Sequence, residues 1–175
     1  FYQQLKDRLE GFALELSMEK TNSIEFGRYA RENARKRGGK PKEFTFLGFT
    51  HYCGKTCEGH FKVKRRTSRK KFGQSIREFT DWARKTRNFL KKGEMLRKAK
   101  TKVAGHLSYY AITDNLAECV LYHYYVTRIL HKWLNRKSQR KTYTWEGYVQ
   151  ALKRVKWPKP RIRKDLNPCR RVWAT

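Results

Sequence analysis

Apolar residues recur along this chain with two different periods, and the change between them falls near Ser68. Downstream of it, Phe72, Ile76, Phe79, Ala83, Thr86 and Leu90 step by four and three residues, which marks one stripe of a long amphipathic helix. A second helix is predicted over Leu96–Tyr109. A third is predicted to begin at Asp114 or Asn115, both good N-caps, and to run through Leu116, Cys119, Val120, His123, Val126, Leu130 and Leu134. A shorter one spans Thr144–Leu152, with Thr144 as cap. Upstream, Leu5, Leu9, Phe12 and Leu16 share one face of a helix over residues 2–15, and Thr21–Phe26 reads as a short strand. Arg31–Lys42, broken by Gly38-Gly39 and Pro41, reads as a loop. Phe44–Tyr52 and Phe61–Arg66 read as the strands of a β-hairpin around the turn-rich Cys53–Gly59. Lys153–Thr175, which holds three of the four prolines, is expected to be irregular. The expected class is α+β: a small α/β piece with a hairpin over residues 1–66, a helical bundle over 67–153 and a basic tail over 154–175.

Charge changes this picture most. Lys and Arg number 43 against 15 Asp and Glu, a formal net charge of +28. So large an excess opposes the compact state by self-repulsion, and a polyanionic partner is its natural explanation. With 38% hydrophobic and 14% aromatic residues, the chain is a folded protein and not a disordered basic arm. The bases are spread over most of its length, which favours nucleic acid over a membrane surface, where they gather on one short amphipathic segment. Residues 1–25 are the exception: Asp7, Glu10, Glu15, Glu19 and Glu25 face only Lys6, Arg8 and Lys20. There is no apolar run of about 18 residues, so no membrane-spanning helix is expected. The N-terminal stretch reads as an amphipathic helix and not as a targeting peptide. Cys53, Cys57, Cys119 and Cys169 are irregularly spaced, so a reducing compartment, the cytoplasm, is expected.

Two basic clusters carry the candidate chemistry. Lys62, Lys64, Arg65, Arg66, Arg69, Lys70 and Lys71 lie between Phe61 and Phe72, and Lys153, Arg154, Lys156, Lys159, Arg161, Arg163 and Lys164 surround Trp157. Cations neutralise phosphates and release counterions. Aromatic rings beside them stack on unpaired bases, worth about 1–3 kcal/mol per base. His106, with Tyr109 and Tyr110, either contacts RNA or packs at a helix end. His51-x-Cys53-x3-Cys57-x2-His60 invites a zinc reading, but structural sites pair their ligands on separate elements, and the two glycines here suit a plain turn. Two-metal phosphoryl transfer needs clustered carboxylates. No two acids are adjacent here, and Glu78 and Asp81 read as salt-bridge partners of neighbouring bases. A glycine-rich phosphate loop and a Ser/His/Asp set are also missing from the sequence.

Three segments together resemble the C-terminal part of group II intron reverse transcriptases, the maturases. They are Leu9-Glu10-Gly11-Phe12-Ala13-Leu14-Glu15-Leu16-Ser17-Met18-Glu19-Lys20-Thr21, then Phe44-Thr45-Phe46-Leu47-Gly48-Phe49-Thr50-His51-Tyr52-Cys53-Gly54-Lys55, then Gly105-His106-Leu107-Ser108-Tyr109-Tyr110 with Asp114-Asn115 and Arg136-Lys137-Ser138-Gln139 after it. The resemblance covers residues 1–153 and is shared with CRISPR-associated and other intron-derived reverse transcriptases. It implies that residues 1–66 are the end of a polymerase palm and 67–153 the thumb, or maturase X domain. It implies that Lys20 assists the incoming nucleotide as a proton donor, and that Phe46, Leu47, Gly48 and Phe49 form the primer grip. Intron RNA and the RNA template–DNA primer duplex are the implied partners. Lys62, Lys64, Arg65, Arg66, Arg69, Lys70, Lys71, His106, Tyr109, Arg136, Lys137, Lys156, Trp157, Lys159 and Arg161 are the candidate contacts. The complete polymerase is implied to use Mg2+, on a palm Asp-Asp that would precede Phe1. The chain therefore reads as a fragment served by separate fingers and palm, a split-gene product, or a protein working without polymerase activity. Composition alone fits a ribosomal or other structural RNA-binding protein, and only the three segments argue against it.

Overall fold

The computed structural model describes residues 1–17, 19, 21–136 and 143–166. The chain divides into two units, one of Phe1–Glu43 with Cys53–Lys62, the other of Phe44–Tyr52 with Val63–Thr175. The class is α+β, with one three-stranded antiparallel sheet and six helices among the described residues.

The first unit holds α1 (Tyr2–Glu10) and α2 (Ala30–Lys36). Helix α1 ends at Glu10, five residues before the sequence pattern suggests, in a turn where Ala13 has φ +55°. Residues 21–26 form no strand. The Glu25 carboxylate instead accepts hydrogen bonds from the Asn33 amide and the Arg37 guanidinium, and these two donors, in that order, hold it below the usual carboxylate range. Part of the expected loop is helix α2. Gly38 and Gly39 act as its stop: Gly38 adopts φ +71°, and the Gly39 N–H reaches back to the Ala34 carbonyl at 2.9 Å. Ahead of them Ala30, Glu32, Ala34, Arg35 and Lys36 are good helix formers, with Glu32 and Lys36 paired at 3.3 Å.

The sheet has the order β1 (Phe44–Phe46), β2 (Phe49–Lys55), β3 (Phe61–Thr67). The expected single strand over Phe44–Tyr52 is in fact two strands. Phe44 pairs with His51, Thr45 with Thr50 and Phe46 with Phe49, so Leu47 and Gly48 form a two-residue turn. Both have positive φ, +48° and +83°, as this tightest hairpin requires.

The second unit is built on α3 (Arg69–Thr86), α4 (Lys92–Tyr110), α5 (Leu116–Asn135) and α6 (Trp145–Arg154). Ser68 caps α3 by accepting from the Lys71 N–H at 3.4 Å, and Thr144 caps α6 by accepting from the Gly147 N–H at 3.2 Å. The predicted stripe of α3 faces the core, with Phe79 and Ala83 buried against α4 and α5 residues such as Leu107, Val126 and Leu130. Tyr148 of α6 is wholly buried there, donating its hydroxyl to the Thr127 carbonyl at 2.8 Å, and burial raises its pKa. Asn115 precedes α5 but makes no capping bond with its side chain. Its Oδ1 accepts from the Thr67 N–H at 2.7 Å, and its Nδ2 donates to the Thr67 hydroxyl and the Tyr110 carbonyl, both at 2.8 Å. One buried amide thus ties the end of β3 to the end of α4. Residues 155–166, after α6, are irregular but anchored: Arg163 N–H donates to the Ala111 carbonyl at 2.8 Å and Leu166 N–H to the Thr113 hydroxyl at 2.9 Å, while the rest of the expected irregular tail lies outside the described residues. Among the described residues, no helix is long and apolar enough to cross a membrane.

Candidate nucleic-acid interface

The Leu47-Gly48 turn is fixed on two sides. The Tyr109 hydroxyl donates to the Leu47 carbonyl at 2.8 Å, and the Ser68 N–H donates to the Gly48 carbonyl at 2.9 Å. Phe49 packs its ring on Tyr109 and Tyr110, with centroids 5.7 and 5.2 Å away. A Cβ at position 48 would sit 3.0 Å from the Tyr110 hydroxyl, so close approach as well as φ demands glycine there. With its neighbours so held, the turn presents Phe46 and Leu47 outward, 61% and 67% exposed, beside a half-exposed Tyr109.

Leu47 is the unusual member of this group. Leucine in the left-handed region costs about 1–2 kcal/mol, and its exposed side chain recovers none of that from the core. The Leu47→Asn variant is expected to be more stable than the native chain by about 1 kcal/mol, because Asn-Gly suits such a turn. Urea unfolding of the two proteins checks this, and a destabilised variant would show that the leucine packs usefully.

The first turn of α3 lies next to this tip, since the aliphatic stem of Lys71 comes within 3.6 Å of the Gly48 Cβ position. Arg69, Lys70 and Lys71 are all exposed and that turn contains no acid. Cations at a helix N-terminus oppose the macrodipole, each by about 0.3–1 kcal/mol, so folding alone disfavours this arrangement. An anionic partner reverses the sign of the effect.

Strand β3 divides its bases between two faces. By the period-two alternation, Lys64 and Arg66 point one way and Arg65 the other. Arg66 lies over the Tyr52 ring at 5.2 Å. Arg65 is felt at His51, whose pKa is lowered by burial and then by that guanidinium, while its ring stacks on Phe44 at 4.8 Å. The bases of β3 are thus shared between the two sides of the strand. Lys62, at the start of β3, belongs to the first unit.

His106 is stacked between Tyr122 at 3.5 Å and Tyr110 at 4.6 Å, and desolvation lowers its pKa to about 4. Its imidazole sits in this group of rings as a neutral side chain. Trp157 is half-buried, with its indole N–H donated to the Thr127 hydroxyl at 3.2 Å. Lys156, at φ +53°, and Lys159 and Arg161 are exposed around it. Arg136 lies at the end of α5 with its guanidinium over Trp133 at 5.6 Å. Lys20 and Lys137 lie outside the described residues.

Among the described residues, no three His, Cys, Asp or Glu side chains are grouped to hold a metal ion. Acidic side chains of the helices are engaged locally. Asp81 pairs with Arg84 at 3.1 Å and Glu94 with Lys98 at 3.0 Å, while Glu78 accepts from the Gln74 amide at 2.8 Å and, among the described residues, pairs with no base.

Sequence reasoning missed Arg87, Arg128, Lys132, Trp133 and Trp145, a cationic and aromatic group at the other end of α5. Its signal was the spacing of Arg128, Lys132 and Arg136 by four, hidden among apolar core positions. No protein-family model, curated protein or solved structure matches the chain.

Proposed function

We propose that this chain binds RNA as the palm-end, primer-grip and thumb portion of a group II intron-type reverse transcriptase or maturase. In that role it clamps intron RNA and the RNA template–DNA primer duplex. The observation that supports it most is the strained Leu47-Gly48 tip, locked by Tyr109 and Ser68 and flanked by three cations in a helix turn that holds no acid. A chain end laid against Phe46 and Leu47 meets apolar and aromatic surface, and the phosphates behind it meet Arg69, Lys70 and Lys71. A-form duplexes are held by backbone and 2′-hydroxyl contacts, so sequence selectivity is low except where loops are bound.

The test is affinity for a folded group II intron RNA against an unrelated RNA of equal length, over a salt series. A preference that survives at physiological salt supports the maturase reading. Equal binding with a steep salt slope favours a general structural RNA-binding protein. In the same assay, changing Lys64, Arg65 and Arg66 together to Ala is expected to weaken binding and to flatten the slope of log K against log salt by about 2. An unchanged affinity and slope removes β3 from the interface.

A further inference from the structure

The C-terminal half of α5 repeats one chemical unit. Arg128, Lys132 and Arg136 succeed one another every fourth residue, a step of about 6 Å along the axis, comparable to the separation of successive phosphates in a single strand. Like charges at this spacing oppose one another. The macrodipole favours Lys132 and Arg136 at the C-terminal end of α5 but does not account for Arg128. Aromatic rings hold each in place: Arg128 lies over Tyr124 at 5.4 Å, Lys132 and Arg136 over Trp133 at 5.7 and 5.6 Å. A fourth cation, Arg87, covers Trp133 at 4.9 Å, and its Nε is buried without a partner among the described residues. None of the four is paired with a carboxylate among the described residues.

Beside this row is a cavity of about 600 Å³ lined by Arg128, Ile129, His131, Lys132 and Trp145. Trp145, 48% exposed, is braced by His131 edge-on at 5.2 Å and by Tyr148 at 5.7 Å. His131 is itself fixed. Asn135 accepts the Tyr143 N–H at its Oδ1, so its Nδ2 is the donor 2.9 Å from His131 Nε2. The cavity therefore combines a braced, solvent-facing indole and an apolar wall with two unneutralised cations at its rim.

We propose that this face of α5 is a track for single-stranded RNA. Phosphates rest on Arg128, Lys132 and Arg136, and one unstacked base enters the cavity to stack on Trp145. The inference rests on the RNA-binding reading above but assigns a different substrate, an unpaired strand instead of the duplex, to a different part of the molecule. An indole stacks on any base, so the track is tolerant of sequence.

Fluorescence anisotropy on the full chain, with a short labelled single-stranded RNA and the same sequence as a perfect duplex, tests it. Trp145→Ala is expected to weaken single-strand binding by about ten-fold, with the salt slope and the duplex affinity unchanged. Trp145→Phe should restore most of the loss. Lys132→Gln, at an exposed position, should lower the single-strand salt slope by about 0.7 and leave the unfolding midpoint in place. Equal losses on the two RNAs, or no loss from either variant on the single strand, would overturn the track while leaving the RNA-binding reading intact. A native chain that binds neither RNA overturns that reading, and the track with it.

Discussion

Replacing Asn115 with Ala is expected to lower the unfolding free energy by about 4 kcal/mol. The side chain is 1% exposed and serves three buried groups: the Thr67 N–H, the Thr67 hydroxyl and the Tyr110 carbonyl. Alanine leaves the Thr67 N–H and hydroxyl without this partner, while the Tyr110 carbonyl keeps the Ile112 N–H at 2.8 Å. Each orphaned group costs about 1–3 kcal/mol, less whatever an entering water recovers. Asp at this position is no remedy. It keeps the acceptor for Thr67 but sets a carboxylate oxygen against the Tyr110 carbonyl, and a buried charge is costlier than a buried amide. Equilibrium denaturation of native, Asn115→Ala and Asn115→Asp chains measures the effect. A loss below about 1 kcal/mol would show that water substitutes for the amide. The damage would also reach the candidate interface, because Thr67 precedes the Ser68 that holds Gly48, and Tyr110 follows the Tyr109 that holds Leu47.

Acid is expected to destabilise the second unit through His106. In the unfolded chain this imidazole titrates near 6.5, and in the folded protein desolvation between Tyr110 and Tyr122 brings it down to about 4. Between these values the unfolded state binds the extra proton, so stability rises with pH across the window and is lost as pH falls through it. The contribution is complete above the unfolded value and gone below the folded one. Its size is about 3 kcal/mol at most, from the separation of the two values. His51 and His123 are shifted the same way by burial and add to the trend. Since carboxylates titrate at the acid end of the range, the informative quantity is the difference between the native chain and His106→Asn, followed by denaturation at several pH values. That difference should shrink as the pH is lowered from 7 toward 4. A difference independent of pH would mean that His106 is protonated in the fold at no such cost.

The helical half of the fold is legible in the sequence because its elements are long and their period persists. The stripe from Phe72 to Leu90 identifies α3, and Thr144 marks the start of α6 through the hydroxyl that caps it. Short elements are harder to read, because one residue can decide them. Gly38 and Gly39 carry the same letters whether they fill a loop or stop a helix, and α2 ends on them. Leu47 gives no turn signal, since nothing local favours leucine at positive φ. Only the Tyr109 hydroxyl, 62 residues away, shows why the strand folds back there. Asn115 was legible as a helix start but not as a hub, for its partners Thr67 and Tyr110 are supplied by tertiary structure. The basic clusters were plain as composition, whereas the pleat that separates Arg65 from Arg66 and the row on α5 needed elements in place. A cation every fourth residue is visible as one face only once α5 is known to be continuous from Leu116 to Asn135.

The Leu47-Gly48 turn also bears on how fast a complex at this tip would form and decay. Its backbone is held at both carbonyls and its flanking ring is clamped by two tyrosines, so its torsional freedom is given up during folding and not at the moment of encounter. A strand end meeting it has no loop to wait for, which leaves the arrival rate to diffusion and to the field of the surrounding cations. Added salt then slows arrival, whereas changes to Phe46 or Leu47 shorten the lifetime of the bound state.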